Sequence, residues 1–410
     1  MRSHSSFASP LFANCSASIP DDVQRRTLWT LYGCNLLASV GFWFFLPLLP
    51  IFLSRRGGSA ALVGAVFASG LLANALIRYP AGWAADRFGT RPVMIAALAS
   101  EAVLFLAYLP HLPLAAFIAV RFVHGAAAGA FWPAANGLIA EVAPPKELGR
   151  AFGVMQSTNM VGIIIGPAIG GIIALANLSV VFVVAAIVSG LAAIPIATVP
   201  NVRLEQTAEV PVGALRIARA LLPLIVFGAG TSYMIGTFDT IWSLYMTYRG
   251  ATTLAVGISF ATFGIPALIV SARAGALGDR FGAQRLIVGS LLVTAFFSSI
   301  YPFIASVPWL IGLGLIEGAF TISGAPSLIA EVSRHAEPGY QGRTQGVFQT
   351  VQSAIQIVGA LAGGYLFTIG PAYAFLAITA FCVLGAAVGS RLSSARRRAA
   401  AIHTKPLRES

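Results

Sequence analysis

Six ionisable side chains of this chain stand in stretches that are otherwise apolar: Arg78, Glu101, Arg121, His124, Asp239 and Glu317. An arginine at mid-membrane costs about 2.5–3.5 kcal/mol, so Arg121 needs a partner or a water-filled cavity. Arg78 lies two residues before Pro80 and can snorkel to an interface instead. A carboxyl that alternates between buried and wetted settings near an arginine changes its affinity for protons as it moves. The chemistry open to Asp239 and Glu317 is therefore proton exchange. Each lies about nine residues from the same end of its apolar run, and Arg121 sits at a similar depth. At a rise of about 1.5 Å per residue all three fit one layer. A static charge cluster that holds helices together is the plainer alternative. No P-loop, nucleophile triad or metal-ligand cluster appears, so ATP-driven chemistry, enzymatic turnover, a metal and a cofactor are not expected. Cys15, Cys34 and Cys382 form no CxxC pair, which argues against a disulfide framework.

The elements that must position these groups follow from composition. Of 410 residues, 57% are apolar and only 10% charged, with a mean hydropathy of +0.82. A soluble domain carries about 25% charged residues, so this chain must face lipid. Windows of about 20 apolar residues give twelve candidate spans, near 28–53, 60–84, 92–110, 112–142, 150–176 and 178–200, then 217–248, 252–277, 285–305, 308–332, 343–369 and 371–392. The fold expected is an all-α integral membrane protein with twelve transmembrane helices in two pseudo-symmetric six-helix bundles. A tail 1–27, a bundle 28–200, a linker 201–214, a bundle 215–392 and a basic tail 393–410 complete the division.

Only Arg55, Arg56 and Arg249 fall outside the spans on one side, and Arg78 and Arg121 lie within them; the other 21 of 26 basic residues lie on the opposite side or in the tails. Cytoplasmic loops carry the excess of Lys and Arg. Both termini are accordingly expected inside the cell, in a plasma or inner membrane. The net charge of +12 flanks apolar spans and does not suggest nucleic acid.

The chain also repeats itself at an offset of 193. Gly82 and Ala85-Asp86-Arg87-Phe88-Gly89 recur as Gly275 and Gly278-Asp279-Arg280-Phe281-Gly282, and Arg150, Gly153 and Gln156 recur as Arg343, Gly346 and Gln349. Gly166, Gly170 and Gly171 recur as Gly359, Gly363 and Gly364. Parallel six-span halves with a site between them are a transporter architecture.

The loop Gly82-Trp-Ala-Ala-Asp86-Arg87-Phe-Gly89-Thr-Arg91 resembles the GxLADRxGRR signature of the major facilitator superfamily, with Thr90 and Pro92 as departures. The copy around Asp279 and Arg280 is weaker, having Ala283 and Gln284 where basic residues are usual. The resemblance implies a cytoplasmic latch between the halves, a gating role for Gly82, Asp86, Arg87, Arg91, Asp279 and Arg280, and a supporting charge network of Glu141 with Arg150 and Glu331 with Arg343. Solvated surface pairs remain the alternative for the last four. Gly162-xxx-Gly166-Pro167-xx-Gly170-Gly171 in span five resembles the GxxxGPxxGG motif of antiporters in the superfamily, chiefly drug:proton exporters. Arg121-xx-His124-Gly125 resembles the RxxQGxGxA pattern of the same antiporters, with His124 where glutamine is usual.

That family places spans one, four, seven and ten around a central cavity. The resemblance thus implies proton coupling at Asp239, Glu317, Arg121 and His124, with Glu101 more peripheral. It also makes Asn35, Phe45, Trp242 and Tyr245 cavity candidates. Gln345, Gln349, Gln352 and Gln356 form one polar stripe on span eleven, matched by Gln156 and Asn159 in span five. Such a stripe avoids lipid and either lines the cavity or glues helices. Trp242, one turn from Asp239, and Tyr245, about one turn further on, would offer a cationic or amphipathic guest a π-face. The expectation is a proton-coupled exporter of small amphipathic organic compounds acting as a monomer in the lipid bilayer. The alternatives are a metabolite or sugar porter of the same fold, or a sensor or scaffold.

Overall fold

A computed structural model describes residues 20–144, 147–203, 214–321, 324–336 and 341–403. Side chains at 267, 268, 270–279, 281, 341–343 and 396–403 lie outside that description, as do most of the two expected tails and of the linker. All regular structure among the described residues is helical. Among the described residues, nine helical stretches are long and apolar enough to cross a membrane.

The first half comprises α1 (Asp21–Phe45), α2 (Leu49–Arg55), α3 (Ala60–Phe88), α4 (Thr90–Leu106), α5 (Ala116–Val142), α6 (Leu148–Ala176) and α7 (Leu178–Ile196). The second comprises α8 (Ala214–Ala220), α9 (Leu222–Tyr248), α10 (Thr253–Phe281), α11 (Ala283–Ile300), α12 (Val307–Thr321), α13 (Gly324–Arg334), α14 (Gln341–Ile369) and α15 (Pro371–His403). Helix ends differ from the sequence windows at several places. Helix α1 starts at Asp21, inside the expected tail, and α15 runs to His403, inside the other. Asp21 and Asp22 in the first turn favour the early start. Span one is one helix with a 3-10 turn at Leu46–Leu48, where Pro47 and Pro50 remove backbone donors. The window 217–248 is divided between α8 and α9 at Leu221, with Pro223 in the first turn of the new helix. Ser59 and Asn177 cap α3 and α7 through their side-chain oxygens.

The tight turns repeat with the sequence. Gly57, Gly89, Gly250 and Gly282 have φ of 86°, 96°, 85° and 89°, forming two pairs at the 193-residue offset. Only glycine takes that conformation without strain. Gly58 N–H donates to Leu53 O and Ala251 N–H to Met246 O, each at 2.9 Å, which closes α2 and α9 in the same way.

The halves meet along two seams, α3 on α14 and α6 on α10. A Cβ on Gly64 would stand 2.4 Å from Ala360 O, and one on Gly364 2.5 Å from Ala60 O. Thr253 Oγ1 donates to Gly171 O at 3.2 Å. These approaches lie at the arginine-poor end of the molecule. The large apolar core crosses between halves there as well: its first-half members are Phe44–Phe52, Val63–Ala68 and neighbours at that end. The arginine-rich end of the first half has a separate core around Leu31, Met94, Leu138 and Ile196, confined to that half. The molecule is thus sealed at its arginine-poor end.

Candidate functional site

Arg121 is 5% exposed on α5. Its guanidinium carbon lies 5.5 Å from the Phe42 ring centre, 5.6 Å from Phe45 and 6.0 Å from Phe67, so aromatic faces supply part of the lost hydration. Gly70 on α3 makes room, since a Cβ there would sit 2.7 Å from Arg121 Nε. Nε and Nη1 find no hydrogen-bond partner among the described residues. The charge of Arg121 acts on two carboxyls, Glu101 of α4 and Asp239 of α9, and neither forms an ion pair with it within 4 Å among the described residues. Asp239 belongs to the opposite half and is partly exposed.

The three groups expected in one layer do not share one partner. The charge of Arg121 reaches Asp239, whereas Glu317, buried on α12, accepts a hydrogen bond from Tyr301 Oη. Glu101, expected at the periphery, is 5% exposed and belongs with Arg121. Depth along a helix is legible from sequence, but rotation about it is not, and rotation decides which groups face each other. His124 is fully buried, with Tyr108 Oη 3.4 Å from Nδ1 and no partner for Nε2 among the described residues. Tyr108 and Tyr301 escaped notice because each ends an apolar run where an aromatic anchor is ordinary.

The cavity candidates divide by exposure. Asn35 is buried and donates to Met155 O and Thr158 Oγ1 at 3.1 and 2.8 Å, joining α1 to α6. Phe45 is wholly buried, edge-on to Phe105 and Phe182. Trp242 donates to Ser259 Oγ at 2.9 Å, and Tyr245 donates to Tyr301 O at 2.6 Å. These four pack helices in this conformation. Gln352 likewise accepts from Ser232 Oγ at 2.9 Å, beside the bare Gly228. Gln156 and Gln349 are exposed, and Asn159 and Gln356 half-buried. Amides in membrane helices avoid lipid, so these four, with Asp239, are the groups left to meet water or a guest.

The glycines of α6 present two faces. Gly162, Gly166 and Gly170 press on Ser39, Trp43 and Phe44 of α1, where an added Cβ would come within 2.4–2.7 Å. Gly171 and the carbonyl of Pro167 press on Thr253 and Gly257 of α10, across the seam. The proline-bearing motif therefore packs one half internally and touches the other.

The loop after α3 is tied within its own half. Thr90 N–H donates to Val202 O at 2.9 Å, Arg91 N–H to Asn201 Oδ1 at 3.2 Å, and Asn201 Nδ2 to Phe88 O at 3.2 Å. Gly82 packs loosely near Pro133. Arg87 lies 5.4 Å from the Trp83 ring centre. Asp86 has no ion pair among the described residues, and neither do exposed Glu141 and Arg150. Glu331 sits 3.8 Å from Arg334 and 4.0 Å from His335. Arg280 is exposed at the end of α10, and the side chains of Asp279 and Arg343 lie outside the described residues. Among the described residues, Asp86, Glu141 and Arg150 thus form no ion pair in this conformation.

Known proteins resemble this chain in family and fold. The family model described as Major Facilitator Superfamily matches residues 31–248 and again 222–408. The multidrug resistance protein MdtG of Enterobacter lignolyticus is 26% identical, over 94% of this chain and 96% of its own. A class C tetracycline resistance protein of Escherichia coli is 27% identical, over 82% of this chain and 89% of its own. The crystal structure of the nucleoside transporter NupG superposes with a TM-score of 0.76 at 12% identity, covering 89% of this chain and 98% of that one.

Proposed function

From the premise that the chain belongs to the Major Facilitator Superfamily and is a multi-pass membrane transporter, we propose that it is a proton-coupled exporter of small amphipathic organic compounds. The observation that carries this reading is a buried arginine of one half, Arg121, whose charge reaches a carboxyl of the other, Asp239, with no ion pair between them among the described residues. A group so placed changes partner whenever the halves rock. The drug-resistance relatives and the Gly162–Gly171 motif favour export over uptake.

The reading includes twelve spans, two bundles at 28–200 and 215–392, a single working copy, and both termini in the cytoplasm. With that orientation the sealed end faces outward and the loop carrying Asp86 and Arg87 faces the cytoplasm. A guest entering from inside meets the exposed amides of Gln156 and Gln349 and the half-buried ones of Asn159 and Gln356. Its arrival displaces a proton from a carboxyl of the Asp239 and Glu317 set to the inside. Closing the latch at Asp86 and Arg87 opens the outer seam. The guest then leaves, a proton returns from outside, and the halves rock back.

The test is a growth-inhibition panel of amphipathic compounds in a pump-deficient host, with and without an uncoupler. Resistance to several compounds that the uncoupler abolishes supports the reading. Faster accumulation of a metabolite or sugar with no resistance supports an uptake porter instead.

A further inference from the structure

The 193-residue repeat extends to a set of side chains that the loop motifs do not include. Arg56, Phe52, Phe45, Tyr108, His124 and Phe182 correspond in turn to Arg249, Tyr245, Phe238, Tyr301, Glu317 and Phe375. The structure arranges both sets alike. In the first half, Arg56 donates to the carbonyls of Tyr108, Leu109 and Pro110 at 3.4, 3.2 and 3.0 Å. In the second, Arg249 donates to Pro302 O at 2.6 Å and to Tyr245 Oη at 2.9 Å, while Tyr245 Oη donates to Tyr301 O. Each arginine lies over an aromatic ring of its own helix, 4.2 Å for Phe52 and 5.2 Å for Tyr245. Each clasped tyrosine packs on the equivalent phenylalanine, with ring centres 5.4 Å apart for Tyr108–Phe182 and 5.9 Å for Tyr301–Phe375.

Each tyrosine hydroxyl then reaches the next titratable group, Tyr108 to His124 and Tyr301 to Glu317. The helices carrying those groups are fixed by the same close approach. A Cβ on Gly125 would stand 2.2 Å from Gly70 O, and one on Gly318 2.2 Å from Phe263 O, again at the 193 offset. The arginines explain their own position. They are two of the three Lys or Arg residues at the arginine-poor end, and each donates to carbonyls where an apolar run ends.

The two copies differ in chemistry. Protonation makes Glu317 neutral but His124 cationic, and His124 already has Arg121 one turn below it. Around Glu317 the titratable groups among the described residues are Tyr301 and Cys382 of α15, and no cation stands beside it. Around His124 they are Tyr108 and Arg121, with Glu101 next to the latter. Helix α9 carries Tyr245 and is capped by Arg249, and α9 packs against α2 of the other half. The clasp therefore sits between the sealed seam and Glu317.

We propose that Glu317 is a proton site positioned by Tyr301, and that the Arg249–Tyr245 clasp sets Tyr301 from the sealed face, the Arg56–Tyr108 copy being the same scaffold around a neutral acceptor. This deepens the proton-coupled reading but stands on a measurement that needs no substrate. The proton enters Glu317 from water and leaves to water, and Tyr301 keeps its own proton while donating to the carboxylate.

The test is pH-dependent infrared difference spectroscopy of the purified protein in nanodiscs, following the carboxyl C=O band. Glu317→Gln should remove one band and so identify it. Tyr301→Phe should move that band and shift its half-conversion about tenfold in proton concentration, because a carboxylate that loses its donor holds its charge less well. Arg249→Gln should reproduce a shift of the same sign, and Tyr108→Phe should leave the band in place. An unmoved band in Tyr301→Phe or Arg249→Gln overturns the assignment, as does an equal shift in Tyr108→Phe, which would mean general loosening. Normal titration of Glu317 beside an export panel that shows no uncoupler effect would keep this site and remove the exporter reading.

Discussion

Gly64→Ala places one methyl group in the seam that seals the arginine-poor end. The new Cβ would stand 2.4 Å from Ala360 O and 3.2 Å from Gly364 Cα. Both neighbours are backbone, and real Cβ atoms do not approach backbone so closely, so the seam must open. Overpacking of a tight contact costs about 1–3 kcal/mol. That cost falls on the sealed state alone, since the partner helix belongs to the other half. At about 1.4 kcal/mol per tenfold, the ratio of sealed to open forms should fall by about 5- to 150-fold. The assay is electron–electron distance measurement between spin labels at Ser54→Cys and Thr252→Cys, exposed positions on opposite sides of the seam. A longer-distance population should grow in Gly64→Ala and not in Gly153→Ala, where nothing lies within 4 Å of the added atom. Identical distributions in Gly64→Ala and the parent protein would refute the claim that this contact holds the end shut.

Other outcomes follow from the same geometry. Gly166→Leu should abolish transport or make it leaky, because its side chain meets Trp43 Cβ at 2.7 Å already from its first carbon; full, normally coupled activity would count against the packing role. Asp86→Asn should slow transport of every substrate alike and leave binding within a few fold, as titration of purified protein would show. Arg121→Lys should reduce pH-driven transport at least tenfold with the fold intact by circular dichroism, since a compact ammonium cannot spread over the Phe42, Phe45 and Phe67 rings as a guanidinium does.

What the sequence made legible was the architecture. Apolar length gave the helices, and the offset of 193 gave the halves. The glycines of 162–171 read as close-packing positions because a glycine stripe has one main physical use in a membrane helix. Gly166, however, expected to pack between the halves, meets Trp43 of its own half, and Gly171 is the one of the four that meets the other. Side-chain roles were less legible. Asn35, Trp242 and Tyr245 looked like cavity wall, yet their polar atoms are spent on neighbouring helices, and no periodicity distinguishes an amide that glues from one that faces water. Glu317 and Asp239 read at a similar depth in the sequence but have different partners, because depth along a helix leaves rotation about it open. The Tyr108 and Tyr301 clasp was hidden for another reason. The aromatic and arginine residues that build it are also common interface anchors, and only their shared neighbours reveal the duplication.

The central claim is that guest and proton compete through the carboxyls between the halves. Its most direct measurement is proton release on adding an exported compound, taken from the growth panel, to purified protein in weak buffer. The wild type should release protons in proportion to the guest bound. Asp239→Asn and Glu317→Gln should each bind the guest and release fewer. Undiminished release with retained pH-driven exchange in both folded variants would contradict the account and move the coupling site to Glu101.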